Sequence, residues 1–288
     1  MAITLAGLQL IAGLYRRGAL AGRHSVMEIG SQDLHPKQDD VVELLSTLVG
    51  FRRRLDTVIT PEVLYKSLGF GVYKCIDADG RHDALKFDLN SDILRQYDFT
   101  EKFDLVTNYG TTEHVFDQRQ AFSNMHNLCA HNGVIIHEVP FQRWLNHGLY
   151  NYQPTFFYDL ANANGYALIG MHIGLPAVGD ITPYSDDLAK AFFKTGMDME
   201  LLVVLQKTRE AEFHSPYNGK YLDSCLLKDG YRTQYDGVAA YEQFFPGPRT
   251  LRQLSTTDMN LAPTKALAGA LLRRLGKKVL EPWPFRRG

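Results

Sequence analysis

The chain has 288 residues, of which 45% are hydrophobic and 22% charged, a composition typical of a globular protein with a sizeable core. Its 31 basic and 32 acidic side chains give a formal net charge of −1, so nucleic acid is not expected as a partner. The three cysteines Cys75, Cys129 and Cys225 are odd in number and lack CxxC spacing. They predict neither a disulfide framework nor a zinc site, and the expected location is the cytoplasm.

The N-terminal stretch "MAITLAGLQLIAGLYRRGAL" is apolar for about 15 residues, with interruptions at Thr4 and Gln9, whereas a membrane span needs about 20 apolar residues. No basic residue precedes the apolar run, as a signal peptide would require. We therefore expect neither a span nor a signal peptide at this end.

Strand-like and helix-like segments alternate through the first two thirds of the chain, which is typical of a parallel sheet with helical crossovers. Thr60, Pro61 and Gly69 predict the beginning and end of one of the helices, and a longer helix is predicted over residues 111–130. The predicted fold class is α/β, a Rossmann-like, mostly parallel seven-stranded sheet flanked by helices. The seven predicted strands are apolar runs, at residues 24–30, 71–77, 84–90, 103–110, 134–140, 167–174 and 201–210.

Polar residues and glycines follow the first four predicted strands, where ligands bind in open α/β sheets. A carboxylate at the end of the second strand can accept both hydroxyls of a ribose, and Gly30 leaves room for a ligand to approach the backbone. Helix caps and turns are the alternative use of a strand-terminal Asp. In chain order the residues are Glu28 and Gly30, then Asp77, then Asp88, then Asn108, Tyr109 and Gly110.

The runs "FDLVTNYGTTEHV" and "HNLCAHNGVIIHEVP" resemble class I S-adenosylmethionine-dependent methyltransferases, over roughly Val26 to Lys207. The shorter runs "LYKSLGF", "YGTTEHVF" and "LANANGY" resemble a bacterial methyltransferase-domain group. The resemblance implies S-adenosyl-L-methionine as cofactor and an enzyme that transfers its methyl group.

The same resemblance implies a role for each residue of the cofactor site. Glu28, Gly30 and Ser31 correspond to the first glycine loop around the methionine moiety. Asp77 corresponds to the ribose carboxylate, and Asp88 to the acidic residue beside the adenine, with Leu89 next to it. The motif that lines the methionine and the sulfonium corresponds to Asn108, Tyr109 and Gly110.

The first motif departs from the family pattern of acidic-x-Gly-x-Gly-x-Gly, because "EIGSQDL" keeps only Gly30. A catalytically inactive relative is therefore one open hypothesis. An insertion at about residues 33–58 is a second departure. It is expected to be a lid or substrate element, or a decoration without a role at the site.

Methyl transfer requires alignment of donor and acceptor, and a hydroxyl or amine acceptor also needs a base. The candidate catalytic residues are His114, His147 and Glu113, with turn formation and helix capping as the structural alternatives. Tyr150 and Tyr152, in the loop-like run "NHGLYNYQP", are the candidate substrate-binding residues. No metal site is predicted, since the remaining histidines show no ligand spacing.

Residues 1–212 are predicted to form the methyltransferase-like domain, and 213–288 a C-terminal extension with a basic amphipathic helix. That helix packs on the domain or lies on anionic lipid, so peripheral contact with the inner face of the membrane is a second expectation for location. The expected acceptor is an unidentified small molecule or a glycan- or lipid-linked intermediate. The sequence does not indicate an oligomeric state.

Two other functions remain open at this point. Asp77-Ala-Asp79 has the spacing with which nucleotide-sugar-dependent transferases hold a metal and a diphosphate. A non-catalytic, cofactor-binding scaffold of the same fold is the other. A dinucleotide oxidoreductase is disfavoured, because no G-x-G-x-x-G follows the first strand.

Overall fold

The computed structural model describes residues 2–52, 58–176 and 179–218. The predicted basic C-terminal helix and most of the extension lie outside these residues. The described helices are α1 (Leu5–Arg16), α2 (Gln38–Val49), α3 (Pro61–Ser67), α4 (Ile93–Tyr97), α5 (Gln118–Leu128), α6 (Pro154–Asn164) and α7 (Asp186–Phe193). The described strands are β1 (Ala2–Ile3), β2 (Ser25–Ile29), β3 (Asp33–Leu34), β4 (Val72–Ile76), β5 (Phe103–Tyr109), β6 (Cys129–Gln142), β7 (Tyr166–Leu175), β8 (Asp180–Pro183) and β9 (Met199–Lys207).

Seven of these strands form one sheet in the order β4-β2-β5-β6-β9-β7-β8. β2 pairs in parallel with β4 and β5, and β5 pairs in parallel with β6. β9 lies antiparallel between β6 and β7, and β8 is antiparallel to β7. Five strands therefore run in one direction, and the predicted Rossmann-like, mostly parallel seven-stranded sheet is confirmed.

The composition of the sheet differs from the prediction at one edge. The strand predicted at residues 84–90 is reduced to a single parallel bridge between Ile76 and Leu85. Beyond Leu85 the chain turns away, because Asp88 accepts a hydrogen bond from the backbone of Asn90 at 2.9 Å and donates its own N–H to the hydroxyl of Tyr97 at 2.9 Å. The seventh strand is instead β8, which the sequence did not predict.

The helix predicted over residues 111–130 begins later than expected. Its first part is a short 3-10 turn, Thr112–His114, and α5 starts only after Asp117. The carboxylate of Asp117 accepts the N–H of Gln120 at 2.9 Å and so caps α5. The interruption places Glu113 and His114 on a turn beyond the carboxyl end of β5 rather than on a helix.

The insertion after β2 is anchored at both ends. Its beginning, β3, pairs in parallel with the N-terminal strand β1. Gln38, at the start of α2, exchanges two hydrogen bonds with the backbone of Ile59, at 2.6 and 3.0 Å. Helix α3 then begins as predicted, with the hydroxyl of Thr60 accepting the N–H of Val63 at 3.3 Å.

The apolar N-terminal run forms α1, which is largely buried. Thr4 caps α1 by accepting the N–H groups of Ala6 and Gly7 at 3.1 and 3.3 Å. Gly7 lies directly against the sheet, since a Cβ at this position would be 2.1 Å from Oε2 of Glu138. None of the helices in the described ranges has the length and apolarity needed to cross a membrane.

Candidate functional site

The order of the strands locates a crevice between the loops that follow β2 and β5. The chain leaves β2 toward β4 on one side of the sheet and leaves β5 toward β6 on the other. Ligands of open α/β sheets bind at such a reversal, beyond the carboxyl ends of the two strands. The two loops are tied together there, because the hydroxyl of Thr111 donates to the carbonyl of Ile29 at 2.7 Å and Gln32 donates to that hydroxyl at 3.2 Å.

The loop after β2 contains a single glycine of the family motif, Gly30, in a left-handed conformation with φ of +88°. Ser31 and Gln32, which follow it, are fully buried. The N–H of Ser31 donates to Oδ2 of Asp77 at 2.9 Å. Asp77 therefore helps to shape the loop. Its carboxylate accepts a backbone N–H that, in a glycine-rich loop, would be free to bind a ligand.

Asp77 lies at the end of β4, beside the loop after β2, as the sequence predicted. Its carboxylate is half-buried and also accepts the N–H of Asp79 at 3.2 Å. Asp79 itself is paired with Nε of Arg81 at 2.7 Å, and hydrogen bonds from Arg81 lower the pKa of Asp79. The two carboxylates of the Asp77-Ala-Asp79 motif thus have protein partners, which a bound metal would have to displace.

Asp88 and Leu89 lie in the turn that follows the single bridge to β4. Asp88 is exposed, and hydrogen bonds from Asn90 lower the pKa of its carboxyl group. Leu89 is buried, and its carbonyl accepts a hydrogen bond from the side chain of Asn124 at 3.1 Å. The bridge between Ile76 and Leu85 joins this segment to the end of β4, and contact of Asp88 and Leu89 with an adenine stays a prediction.

At the end of β5 the side chain of Asn108 is buried, and its amide nitrogen lies 3.2 Å from Nδ1 of His137 on β6. Its oxygen accepts the N–H groups of Thr111 and Thr112 at 3.3 and 3.1 Å, and its amide donates to the hydroxyl of Thr112 at 2.9 Å. Asn108 therefore shapes the turn. Gly110, with φ of +68°, makes room for Glu113, because a Cβ at Gly110 would lie 3.2 Å from Oε1 of Glu113.

A layer of buried polar groups lies on one face of the sheet beside the crevice. Glu28 is in register with Thr107, and Tyr109 is in register with Glu138. Glu28 accepts the hydroxyl of Tyr73 at 2.7 Å, and burial raises the pKa of its carboxyl group to about 8. Four atoms of these residues have no well-formed hydrogen bond to any described residue, namely Oε1 of Glu28, Oγ1 of Thr107, the hydroxyl oxygen of Tyr109 and Oε2 of Glu138.

Glu138 and Glu200 form a buried pair of carboxyl groups that the sequence reasoning missed. Burial raises the pKa of both groups, and the negative charge of Glu138 raises that of Glu200 further. We conclude that the pair holds at least one proton at neutral pH. The hydroxyl of Thr4 donates to Glu138, which links α1 to this pair. The signal available in the sequence was an acidic residue inside each of two apolar runs, "IIHEVP" and "MELLVV".

Glu113, His114 and His147 converge on the side of the crevice that follows β5. Oε1 of Glu113 lies 3.9 Å from Nε2 of His114 and 3.7 Å from Nε2 of His147. Glu113 is fully buried, and this burial raises the pKa of its carboxyl group to about 7. Partial burial, and then the neighbouring His147, lower the pKa of His114. The structure thus brings together all three residues that the sequence proposed as catalytic.

Backbone hydrogen bonds hold the loop of His147 against the turn of Glu113. The N–H groups of Leu149 and Tyr150 donate to the carbonyl of Glu113 at 2.8 and 3.3 Å. Gly148 permits this approach, because a Cβ there would lie 3.0 Å from both the carbonyl oxygen and Cγ of Glu113. The ring of Trp144, another residue missed from sequence, lies 4.7 Å from that of His147.

The two candidate substrate-binding tyrosines have different surroundings. Tyr150 is half-buried, and its hydroxyl donates to the carbonyl of Phe116 at 2.9 Å. Tyr152 is buried, and its hydroxyl lies 2.9 Å from that of Thr112 and 2.5 Å from the side-chain oxygen of Gln118. Tyr152 is thus part of the packing beneath the turn, and direct contact with a substrate stays a prediction for both residues.

The solved structures similar to this chain include S-adenosylmethionine-dependent methyltransferases, the family that the sequence resembles. StiE O-MT is 15% identical over 81% of each chain, with a TM-score of 0.40. A Burkholderia thailandensis 1,6-didemethyltoxoflavin-N1-methyltransferase, solved with 1,6-didemethyltoxoflavin and S-adenosylhomocysteine, is 15% identical over 69% of this chain and 77% of that one, with a TM-score of 0.36. A putative sarcosine dimethylglycine methyltransferase from Galdieria sulphuraria is 11% identical over 70% of this chain and 84% of that one, with a TM-score of 0.42.

No family model matches the sequence, and no curated protein matches it either. At the identities and TM-scores of these structures, the likeness does not by itself establish an activity. The functional proposal therefore depends on the residues of the crevice.

Proposed function

We propose that this chain is a methyltransferase that uses S-adenosyl-L-methionine. The observation that carries the proposal is the convergence of Gly30, Asp77 and the turn at Gly110 on one crevice, at the reversal of strand order. A ligand that consists of a nucleoside joined to a charged amino acid would need binding groups from all three of these places.

The residues at the crevice fit such a cofactor. In this proposal Asp77 accepts hydrogen bonds from the ribose, and Leu89 contacts the adenine, with Asp88 beside it. Oε1 of Glu28, which has no well-formed hydrogen bond to a described residue, offers a further acceptor to a polar group of the ligand. The bound cofactor would supply a methyl group activated by its sulfonium.

On the acceptor side, Glu113, His114 and His147 are the groups able to take up a proton. An acceptor hydroxyl or amine loses a proton, forms a bond to the methyl carbon, and the bond from that carbon to sulfur breaks. The products are the methylated acceptor and S-adenosylhomocysteine. A neutral His114, favoured by its lowered pKa, can act as a base at neutral pH.

The acceptor that we propose is a small molecule, with a glycan- or lipid-linked intermediate as a second possibility. The exposed side chains Phe116, Leu145 and Leu149 lie on the two loops that carry the histidines and provide apolar contact area. Cytoplasmic location and peripheral membrane contact also remain proposals.

The proposal is tested by calorimetric titration of the purified protein with S-adenosylmethionine and S-adenosylhomocysteine. The informative variant is Asp77→Asn, which keeps an oxygen for the N–H of Ser31 but removes the charge. Hydrogen bonds to a charged group contribute roughly 1.5–3 kcal/mol, so binding should weaken about 10- to 100-fold. Asp187→Asn, on a fully exposed side chain in the first turn of α7, is the matched control and should bind normally.

The same titration with nucleotide sugars and Mn²⁺ tests the alternative transferase. Binding of a nucleotide sugar that requires the metal, without binding of either methionine-derived nucleoside, would contradict our proposal. Binding of S-adenosylmethionine with no methyl transfer to any acceptor would instead favour the non-catalytic scaffold.

A further inference from the structure

The three acceptor-side residues form a compact set of metal-binding atoms. One ligand atom from each of Glu113, His114 and His147 lies within 4.8 Å of the others, and this is the one such group among residues 2–52, 58–176 and 179–218. Ligands arranged tetrahedrally around zinc, at roughly 2.0–2.2 Å from it, are about 3.4 Å apart. The observed 3.7 and 3.9 Å from Oε1 of Glu113 to the two imidazoles require only small side-chain movements to reach that spacing.

Glu113 provides an independent indication that a cation belongs here. Its side chain is fully buried, and neither carboxylate oxygen has a hydrogen-bond partner in another described residue. Removing an ionised carboxylate from water costs several kcal/mol unless a charge or donors compensate it. Two imidazoles, those of His114 and His147, have their Nε2 atoms within 3.9 Å of Oε1 of Glu113, and imidazoles bind metals in their neutral form.

The site is also held in place by contacts outside it. The bonds from Leu149 and Tyr150 to the carbonyl of Glu113 fix the loop of His147, and Gly148 allows the close approach. The indole of Trp144, which packs on His147, is anchored by a hydrogen bond to the carbonyl of Met199 at 2.8 Å. Bound metals depend on such outer contacts to orient their ligands.

We propose that Glu113, His114 and His147 bind one divalent transition-metal ion, and that an oxygen of the methyl acceptor occupies an open position on that ion. Two imidazoles and a carboxylate suit zinc, cobalt, manganese or iron, and three protein ligands leave a position for a substrate. The imidazoles of His114 and His147 are 41% and 38% exposed, so the open side faces solvent. The metal site does not depend on the proposed function, whereas the binding of an acceptor oxygen to the metal rests on it.

The metal changes how the acceptor is activated. A hydroxyl bound to a divalent cation loses its proton near neutral pH, to solvent, without a protein base. The acceptor is then a molecule whose hydroxyl oxygen binds the metal and whose remaining part is apolar. The apolar part would contact Phe116, Leu145 and Leu149, which lie on the same loops and are 76%, 92% and 59% exposed.

The experiment is metal binding by tag-free protein that has first been stripped with a chelator. Cobalt(II) is added while its visible absorption is recorded, and zinc binding is measured by competition with a chromogenic chelator. We expect one cation per chain and the cobalt spectrum of mixed nitrogen and oxygen ligands. His147→Ala and Glu113→Gln should each lower the affinity by at least about 10- to 100-fold, since loss of an outer partner alone has that effect.

Two variants on the surface serve as matched controls. His131→Ala and Glu62→Gln change the same residue types at exposed positions and should leave metal binding unchanged. His147 is on a partly exposed loop, so His147→Ala tests the proposal even if Glu113→Gln fails to fold.

Equal zinc affinity in the wild type and His147→Ala, or no binding in the wild type, would overturn the inference. S-adenosylhomocysteine binding by the same stripped sample decides the proposed function separately. Binding of the nucleoside without metal binding leaves a methyltransferase with a histidine base. Metal binding without binding of the nucleoside would support the metal site but would contradict its role in activating a methyl acceptor.

Discussion

The hydroxyl of Thr111 donates a hydrogen bond to the carbonyl of Ile29 at 2.7 Å, and this bond joins the loop after β5 to the end of β2. Both sides of the candidate crevice are therefore positioned by one buried contact. The side chain of Gln32 donates to the same two oxygens, at 3.2 Å each, and completes the connection.

Thr111→Val removes this hydroxyl while keeping the shape of the side chain. We expect a loss of about 1–2 kcal/mol in the free energy of unfolding, because Gln32 loses a buried partner. We also expect weaker binding of S-adenosylhomocysteine, since the two loops are no longer tied. The control is Thr47→Val, whose exposed hydroxyl bonds only within α2. Unchanged nucleoside binding by Thr111→Val would mean that the contact does not shape the ligand site.

Two glycines of α1 should respond oppositely to the same substitution. At Gly7 a Cβ would lie 2.1 Å from Oε2 of Glu138, so Gly7→Ala should destabilise the protein by roughly 1–3 kcal/mol. At Gly13 nothing lies within 4 Å, so Gly13→Ala should stabilise α1 by roughly 0.5–1 kcal/mol. Urea unfolding measures both. Equal effects would contradict the packing of α1 on the buried carboxyl pair.

Glu28 should make stability fall as the pH rises. Its pKa is about 8 in the folded protein and near 4.5 when unfolded, so between these values the unfolded state binds fewer protons than the folded state. Glu28→Gln removes this dependence and still accepts the hydroxyl of Tyr73. The variant should therefore gain about 1.4 kcal/mol per pH unit relative to the wild type between roughly pH 5 and 8. Glu62→Gln is the control. If the difference in the free energy of unfolding between Glu28→Gln and the wild type did not change with pH, Glu28 would be ionised in the folded protein over this whole range.

His137 should have the opposite effect on the acid side. Burial lowers its pKa to about 3, so below pH 6.5 the unfolded state binds a proton that the folded state does not. The wild type should lose about 1.4 kcal/mol per pH unit relative to His137→Gln as the pH falls from roughly 6 to 4. The exposed His131→Gln should show no such slope. A slope of zero for His137→Gln would mean that the imidazole is protonated in the folded protein.

Most of the sheet was predictable because its strands are long apolar runs, and the residues that end them define the crevice. The strand at residues 84–90 was predicted wrongly, since Asp88 and Asn90 form a local turn that competes with strand pairing. β8 was missed because its four residues, Asp180–Pro183, are too short and polar to give a pattern.

The catalytic candidates were chosen by residue type, and their convergence could not be derived from spacing. His147 reaches Glu113 through the backbone bonds of Leu149 and Tyr150, a contact between loops that are 36 residues or more apart in sequence. The burial of Tyr152 has the same origin, because its hydroxyl lies beneath a turn that the sequence assigned to a helix. Long-range contacts of this kind depend on the complete fold.

The most direct test of the central claim is hydrogen exchange of the backbone amides with and without S-adenosylhomocysteine. A ligand in the crevice should slow exchange in the peptides that contain Gly30–Asp33, Asp77–Asp79 and Asn108–His114, and leave β7, β8 and α7 unchanged. That result would place the nucleoside between the loops that follow β2 and β5. Protection confined to another part of the chain, or none at saturating ligand, would contradict the account.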